Sequence, residues 1–517
     1  MRRWYVPFVL CLALGVSACD GDDDDDSSQP EPPPPETPAR GTLLQNPPSL
    51  VKSYASAELL AAAGQNEVGQ ILLDLAFDPK CPVDIYQIQY QTIGGVSEPA
   101  TASGALMIPG GTDPACAGPR PIVLYGHGTS TDRAFNMANL SGNAEAIAAA
   151  VVFAAQGYIV VAPNYAGYDT SSLTYHPYLN ANQQSADMID ALAAARSALP
   201  VAGTPSATDS GKLFVSGYSQ GGFVAMATHR ALEASGVSVA ASAPLSGPYA
   251  LSAFGDAIFQ GQVSTDAPVN LTLLVASYDV AYGDLFSATS DVFEARYATG
   301  IETLLPSTTP LGDLEAQGRI PPDALFSSTP PDPVYASITP ATEPAPLASV
   351  FAKGFGPDNL ITNTYRLSYL QDSQIAPDGG FPLATDGLPP ANPTHALRRA
   401  LKTNDLRNWS PLAPVLLCGG NNDPTVFYFN TQLIQAYWAA AAPTADLTVL
   451  NVDAAPVTDD PFETQKVAFS AAKDLVRANA VLGGADDGGD EAVFGVYHPG
   501  LVAPACLSAA KSYFDEH

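Results

Sequence analysis

Positive charge is scarce in this chain of 517 residues. Its 22 lysines and arginines face 52 aspartates and glutamates, for a net charge of −30. Without a basic stripe, nucleic acid and anionic membrane surfaces are poor partners. Cysteine is sparse too, at six. Cys11 and Cys19 sit near the N-terminus, and the spacing of Cys81, Cys116, Cys418 and Cys506 fits no zinc site. After the N-terminal segment no apolar run reaches membrane-spanning length, and no internal repeat marks a solenoid or propeller. Histidine is limited to six residues, few enough to sort candidates by elimination. Apolar residues are not lacking: at 46% they support a large core carrying a sizeable insertion.

The first residues read as an export signal. Arg2 and Arg3 precede an apolar stretch at 5–14, too short to span a bilayer as a mature helix, and Val16-Ser17-Ala18-Cys19 follows. The ending resembles a bacterial lipoprotein signal, which implies that residues 1–19 are a signal peptide and that Cys19 is lipidated; an ordinary secretory signal cut near Ala18 is the alternative. Loss of the two arginines takes the net charge from −30 to −32. Residues 20–41 hold five consecutive aspartates (22–26) and then a Pro-rich run. Such a stretch buries little, repels itself and reads as an extended tether. Membrane contact is expected only through the N-terminal lipid, with the folded body periplasmic or on the cell surface.

The chain is organised around Gly217-Tyr218-Ser219-Gln220-Gly221. An apolar strand at 213–215 runs into this G-x-S-x-G, and a segment of helical periodicity at 223–232 leaves it. Strand, sharp turn and helix are the context of a nucleophile elbow. The alternative is a Gly-rich turn whose serine caps the helix. Upstream, 121–125 and 158–162 read as buried strands, and 144–156 and 182–199 as helices. Downstream come strands at 238–244, 413–418 and 446–452, with helices at 431–442, 462–482 and 504–514. Buried strands alternating with helices predict a parallel sheet covered on both faces. Before it, 53–75 reads as an interrupted helix, and 85–92 and 102–108 as two antiparallel edge strands. The pattern breaks at 249–406, a Pro-rich insertion with pieces such as 285–298 read as helical. The organisation is therefore a core at 42–248, a cap at 249–406 and the rest of the core at 407–517.

A serine hydroxyl needs a base, and the base needs an acid to fix its tautomer. His127 and His176 precede the serine. His229 lies roughly 15 Å down the elbow helix at ~1.5 Å per residue. His395 precedes the acid strand and His517 ends the chain, which leaves His498, placed in a loop after the last strands. Asp423 follows the strand at 413–418 and is the expected acid; Asp453, after the next strand, is its competitor. For a developing oxyanion, donors are expected at the backbone N–H of Gln220 and of Thr129, after Gly126-His127-Gly128. The four remaining cysteines allow three pairings. Cys81 and Cys116 flank the antiparallel pair, and Cys418 and Cys506 adjoin the acid strand and His498, so these are the expected disulfides.

Tyr125-Gly-His-Gly-Thr129, Ala162-Pro-Asn-Tyr-Ala-Gly-Tyr168, the elbow, Asn422-Asp423-Pro424 and His498-Pro-Gly500 together resemble the α/β-hydrolase superfamily. Within it they are similar to bacterial secreted esterases and secretory lipases with a cap between the sixth and seventh strands. The resemblance implies an α/β-hydrolase fold: a mostly parallel, doubly wound sheet with a large helical cap. It implies a serine ester hydrolase with Ser219 as nucleophile, His498 as base, Asp423 as acid and Gln220 and Thr129 as oxyanion donors. No metal or organic cofactor is implied, and the substrate is a small-molecule or lipid-like ester. Phe254, Phe259, Tyr278, Tyr282, Phe286 and Tyr297 suit an acyl-binding cap, or simply the cap's own core. Two other readings share these residues: a serine peptidase of prolyl-oligopeptidase type, and a non-catalytic binding protein on a hydrolase scaffold.

Overall fold

The computed structural model describes residues 38–517 except 66, 76 and 203–206. The signal, Cys19 and the tether up to residue 37 lie outside the described residues. Arg40 and Gly41, at the end of the stretch read as tether, are docked on the body: Arg40 pairs with Asp190 at 3.0 Å and Gly41 N–H donates to Gln91 O.

Nine strands form one sheet among the described residues. They are β1 (Ser49–Tyr54), β2 (Val83–Ile93), β3 (Pro99–Pro109), β4 (Gly118–Gly126), β5 (Ile159–Pro163), β6 (Ala207–Tyr218), β7 (Ala241–Leu245), β8 (Val415–Gly419) and β9 (Leu447–Asn451). Their order is β1-β2-β3-β5-β4-β6-β7-β8-β9. From β5 to β9 neighbours run parallel, while β1, β2 and β3 pair antiparallel. Alternation along each strand supplies both faces. Leu124, Val215 and Leu417 enter one core; Val123, Phe214 and Leu416 enter the other. Helices Ala181–Ala198 and Gln220–Ala234 pack on the first face. Ala144–Val152 and Ala503–Glu516 pack on the second.

The structure corrects four sequence expectations. β1 replaces the start of the helix read at 53–75; it is exposed along nearly all its length and therefore shows no inward-facing periodicity. Its presence makes β2 an interior strand, and β3 is interior through its pairing with β2 and β5. Segment 285–298 is irregular apart from a 3₁₀ turn at Thr289–Asp291. The Asp291 carboxylate accepts the N–H groups of Ser287 and Ala288, a local bond that competes with helix formation. The segment Asp490–Glu516 does have the length and apolar content of a membrane span, but most of it is buried in this fold.

Disulfides join Cys81 to Cys116 and Cys418 to Cys506. The insertion between β7 and β8 is held by buried ion pairs. Arg398 bonds Asp256 at 2.8 Å and Asp372 at 2.7 Å, tying helices Leu251–Phe259, Asn363–Ile375 and Ala396–Asn404 together. Arg407 does the same for Asp378 and Asp405. Breaking a buried pair strands the remaining charge. Arg398→Ala is expected to cost about 3–5 kcal/mol and to lower Tm in scanning calorimetry by roughly 3–5 °C for a chain this long.

Candidate active site

The elbow is built by close backbone approach. Ser219 has φ 61° and ψ −122°, a strained conformation for a residue with a side chain. A Cβ on Gly221 would stand 1.9 Å from Gly126 O, and one on Gly217 2.3 Å from Gly221 O. Glycine at both positions is what lets β6, β4 and the helix Gln220–Ala234 pass. Ser219 makes no side-chain cap to its helix, and it lines a cavity of about 380 Å³.

Asp423 follows β8 and is fully buried. Its Oδ1 accepts the N–H groups of Thr425 (2.9 Å) and Val426 (3.0 Å), and its Oδ2 accepts Ser246 Oγ (3.0 Å). His498 Nδ1 donates to the same Oδ2 at 2.6 Å. This fixes the tautomer: Nδ1 carries the proton, so Nε2 is free to accept one. Nε2 is buried and makes no hydrogen bond, and His498 lines the cavity that holds Ser219. No bond yet joins Nε2 to Ser219, a contact that commonly tightens only when substrate binds.

His498 is not in a loop. It lies in a π-helical turn, Tyr497–Val502, between helices Asp490–Val496 and Ala503–Glu516. Pro499 lacks an N–H and interrupts the α-helical ladder there. The Tyr218 hydroxyl donates to His498 O at 2.5 Å, anchoring the turn to the residue before Ser219.

The fold recurs in known proteins. The prolyl oligopeptidase family profile matches residues 146–242. No curated protein matches the chain by sequence. A ligand-bound structure of the rice cell wall degrading esterase LipA from Xanthomonas oryzae superimposes with a TM-score of 0.64 at 27% identity, covering 93% of this chain and 100% of that one. This chain is an α/β-hydrolase. A putative hydrolase from Legionella pneumophila shares the fold at 20% identity and TM-score 0.57, over 79% of this chain and 91% of that one.

In this hydrolase the competitor acid is occupied elsewhere. Asp453 accepts Asn422 Nδ2 (3.0 Å) and Tyr497 OH (2.7 Å) and pairs with Lys473. It therefore ties the neighbour of Asp423 to the neighbour of His498. Cys418–Cys506 spans the same two segments. Gln220 and Thr129 both line the cavity. The Thr129 hydroxyl is engaged with Tyr178 OH at 3.0 Å, which leaves its backbone as the oxyanion donor to consider.

Sequence position alone set His127 and His176 aside, and the structure gives each a place. His127 is buried and stacks on Tyr165 at 4.1 Å; burial lowers its pKa to about 4, so it is neutral. His176 Nδ1 donates to Ala166 O (2.8 Å), and Nε2 accepts the Gln220 side-chain amide (2.7 Å), with burial lowering its pKa to about 3. It holds Gln220, the residue after Ser219, from behind, a contact between segments far apart in sequence. His229 is bound to Ser242 and Glu233, and His395 packs on Tyr365 and Tyr369.

From the cap, Leu251, Phe254, Ile258, Phe259, Leu271 and Leu274 face the cavity. Tyr278, Tyr282 and Tyr297 instead bond within the fold, to Leu179 O, Asn404 and Asp358 O. Three of the six aromatic residues read as suited to an acyl-binding cap thus bond elsewhere in the fold, while Phe254 and Phe259 face the cavity.

Proposed function

We propose that this α/β-hydrolase is an exported carboxylic ester hydrolase working through an acyl-enzyme. Ser219 attacks the ester carbonyl as His498 Nε2 takes its proton, and Asp423 holds the imidazolium that forms. The backbone N–H groups of Gln220 and Thr129 receive the oxyanion. His498 returns the proton to the departing alcohol, and water then attacks the acyl-enzyme by the same route. The observation that carries the reading is the 2.6 Å bond from His498 Nδ1 to a buried carboxylate, beside an elbow serine in one cavity. The apolar cap side of that cavity suits an acyl chain, and the LipA relative is an esterase.

The prolyl oligopeptidase match covers 146–242, the helix, strands and elbow common to both kinds of enzyme. Ahead of β4 the described residues form β1–β3 and two short helices, Ser56–Ala63 and Glu67–Asp74, with no propeller blade. The LipA esterase, matched over 93% of this chain, favours the ester reading. Export and lipidation at Cys19 belong to the same proposal, supported by the paired cysteines of the body. The test is hydrolysis of p-nitrophenyl esters from acetate to palmitate by the soluble domain. Turnover is expected, and the chain-length optimum divides esterase from lipase. No turnover on any ester, with no fluorophosphonate labelling, would leave the binding scaffold.

A further inference from the structure

Glu145 is a carboxyl group that the acyl-transfer steps leave unused. It stands in the first turn of the helix Ala144–Val152, just after its cap Asn143. A glutamate at that position ordinarily faces water and answers the helix dipole. Here the side chain lines the cavity of Ser219 and His498. Gly128 N–H forks onto both carboxyl oxygens at 3.0 Å each, and Tyr125 OH donates to Oε1 at 2.8 Å. A methyl placed on Gly128 would stand 3.3 Å from Glu145 Oε2 and 3.7 Å from Ser219 Cβ. Carboxyl, loop and nucleophile therefore meet at one point.

We propose that Glu145 is a positioning residue for acyl transfer, holding the oxyanion loop by Gly128 N–H and facing the imidazolium that forms on His498. This rests on the ester-hydrolase reading. With Gly128 N–H drawn back to the carboxylate, the next N–H, that of Thr129, is presented to the carbonyl oxygen of the substrate. The negative charge adds to that of Asp423 when the base is protonated, in a site where few waters screen it.

The environment makes this contribution depend on pH. Burial raises the Glu145 pKa to about 7, against the pull of Gly128 N–H, Tyr125 OH and the His498 charge. The titratable groups facing it are Tyr125 from β4, Tyr165 from the loop after β5, Tyr218 from β6, and His498. On the helices packed against its own, Glu58 caps Ala55, Asp74 accepts Gln70, and Lys511 pairs with Asp515. Because the folded pKa is raised, the charged form is present above about 7 and lost as pH falls through that value.

The test compares wild type with Glu145→Gln on a soluble p-nitrophenyl ester, across about pH 5.5 to 8.5. Because the Glu145 charge acts on His498, the base's own titration is fitted separately for each enzyme before the ratio of kcat/KM is taken. The ratio is expected to climb about tenfold with pH, through kcat with KM unchanged, one lost charge contact being worth about that much. A purely structural role gives a ratio that does not vary with pH, and a flat ratio overturns the proposal. Tyr125→Phe is the second variant. It removes a donor that lowers the Glu145 pKa, so the activity rise should move to higher pH; an unmoved profile counts against the proposal, even if Glu145→Gln fails to fold. Undiminished turnover by Ser219→Ala would instead overturn the underlying ester-hydrolase reading.

Discussion

Ser219→Ala is expected to lower kcat on a p-nitrophenyl ester by about 10⁶-fold, the scale on which loss of a nucleophile acts. Fluorophosphonate labelling should vanish with it. The variant should still fold. Ser219 makes no cap bond to the helix Gln220–Ala234, and alanine keeps the Cβ that already sits at φ 61°. Its backbone N–H still donates to Leu245 O at 3.0 Å. The cavity and the oxyanion donors stay in place, so a substrate analogue should bind the variant about as tightly as wild type. Lost turnover with retained binding and an unchanged Tm assigns the effect to chemistry. Retained turnover would remove the serine from the mechanism.

The second large effect is at Asp423. Asp423→Asn is expected to lower kcat by about 10⁴-fold with little change in KM. The asparagine oxygen will turn toward the N–H groups of Thr425 and Val426, which Oδ1 accepts now. That turns the amide NH₂ toward His498 Nδ1, which must then act as acceptor. The proton moves to Nε2, and the base can no longer take one from Ser219. Asp453→Asn should cost roughly two orders of magnitude less than this, because Asp453 touches neither ring nitrogen and acts only through Asn422 and Tyr497. Steady-state kinetics of the two variants side by side distinguishes acid from tie. Equal losses would mean that the assignment of the acid is wrong.

The residues of the site were legible where chemistry demands a local pattern. Gly217 and Gly221 are dictated by backbone clearances of about an atomic radius, and that need is written into five consecutive positions. Asp423 and His498 were reached through chain order and elimination, and the structure brings them together. The helical setting of His498 was not legible, because Pro499-Gly500 reads as a loop while the segments on both sides are helical. Glu145 and His176 were missed for a different reason. Each looks ordinary along the chain, a first-turn carboxylate and a loop histidine, and acquires its contacts only from the loop after β4 and the helix after β6. Exposed β1 escaped because a strand with no buried face leaves no alternation to read.

The Cys418–Cys506 bond also sets a timetable. It fastens the strand that ends near the acid to the helix that follows the base, and both Cys506 and His498 come after Ser219 and Asp423 in the chain. A chain made from its N-terminus thus delivers Ser219, the cap and Asp423 before it delivers His498. Until the final helix docks, Ser219 stands without the histidine that lines its cavity. The contact between Asp423 and His498 therefore assembles last, when the C-terminal helix docks.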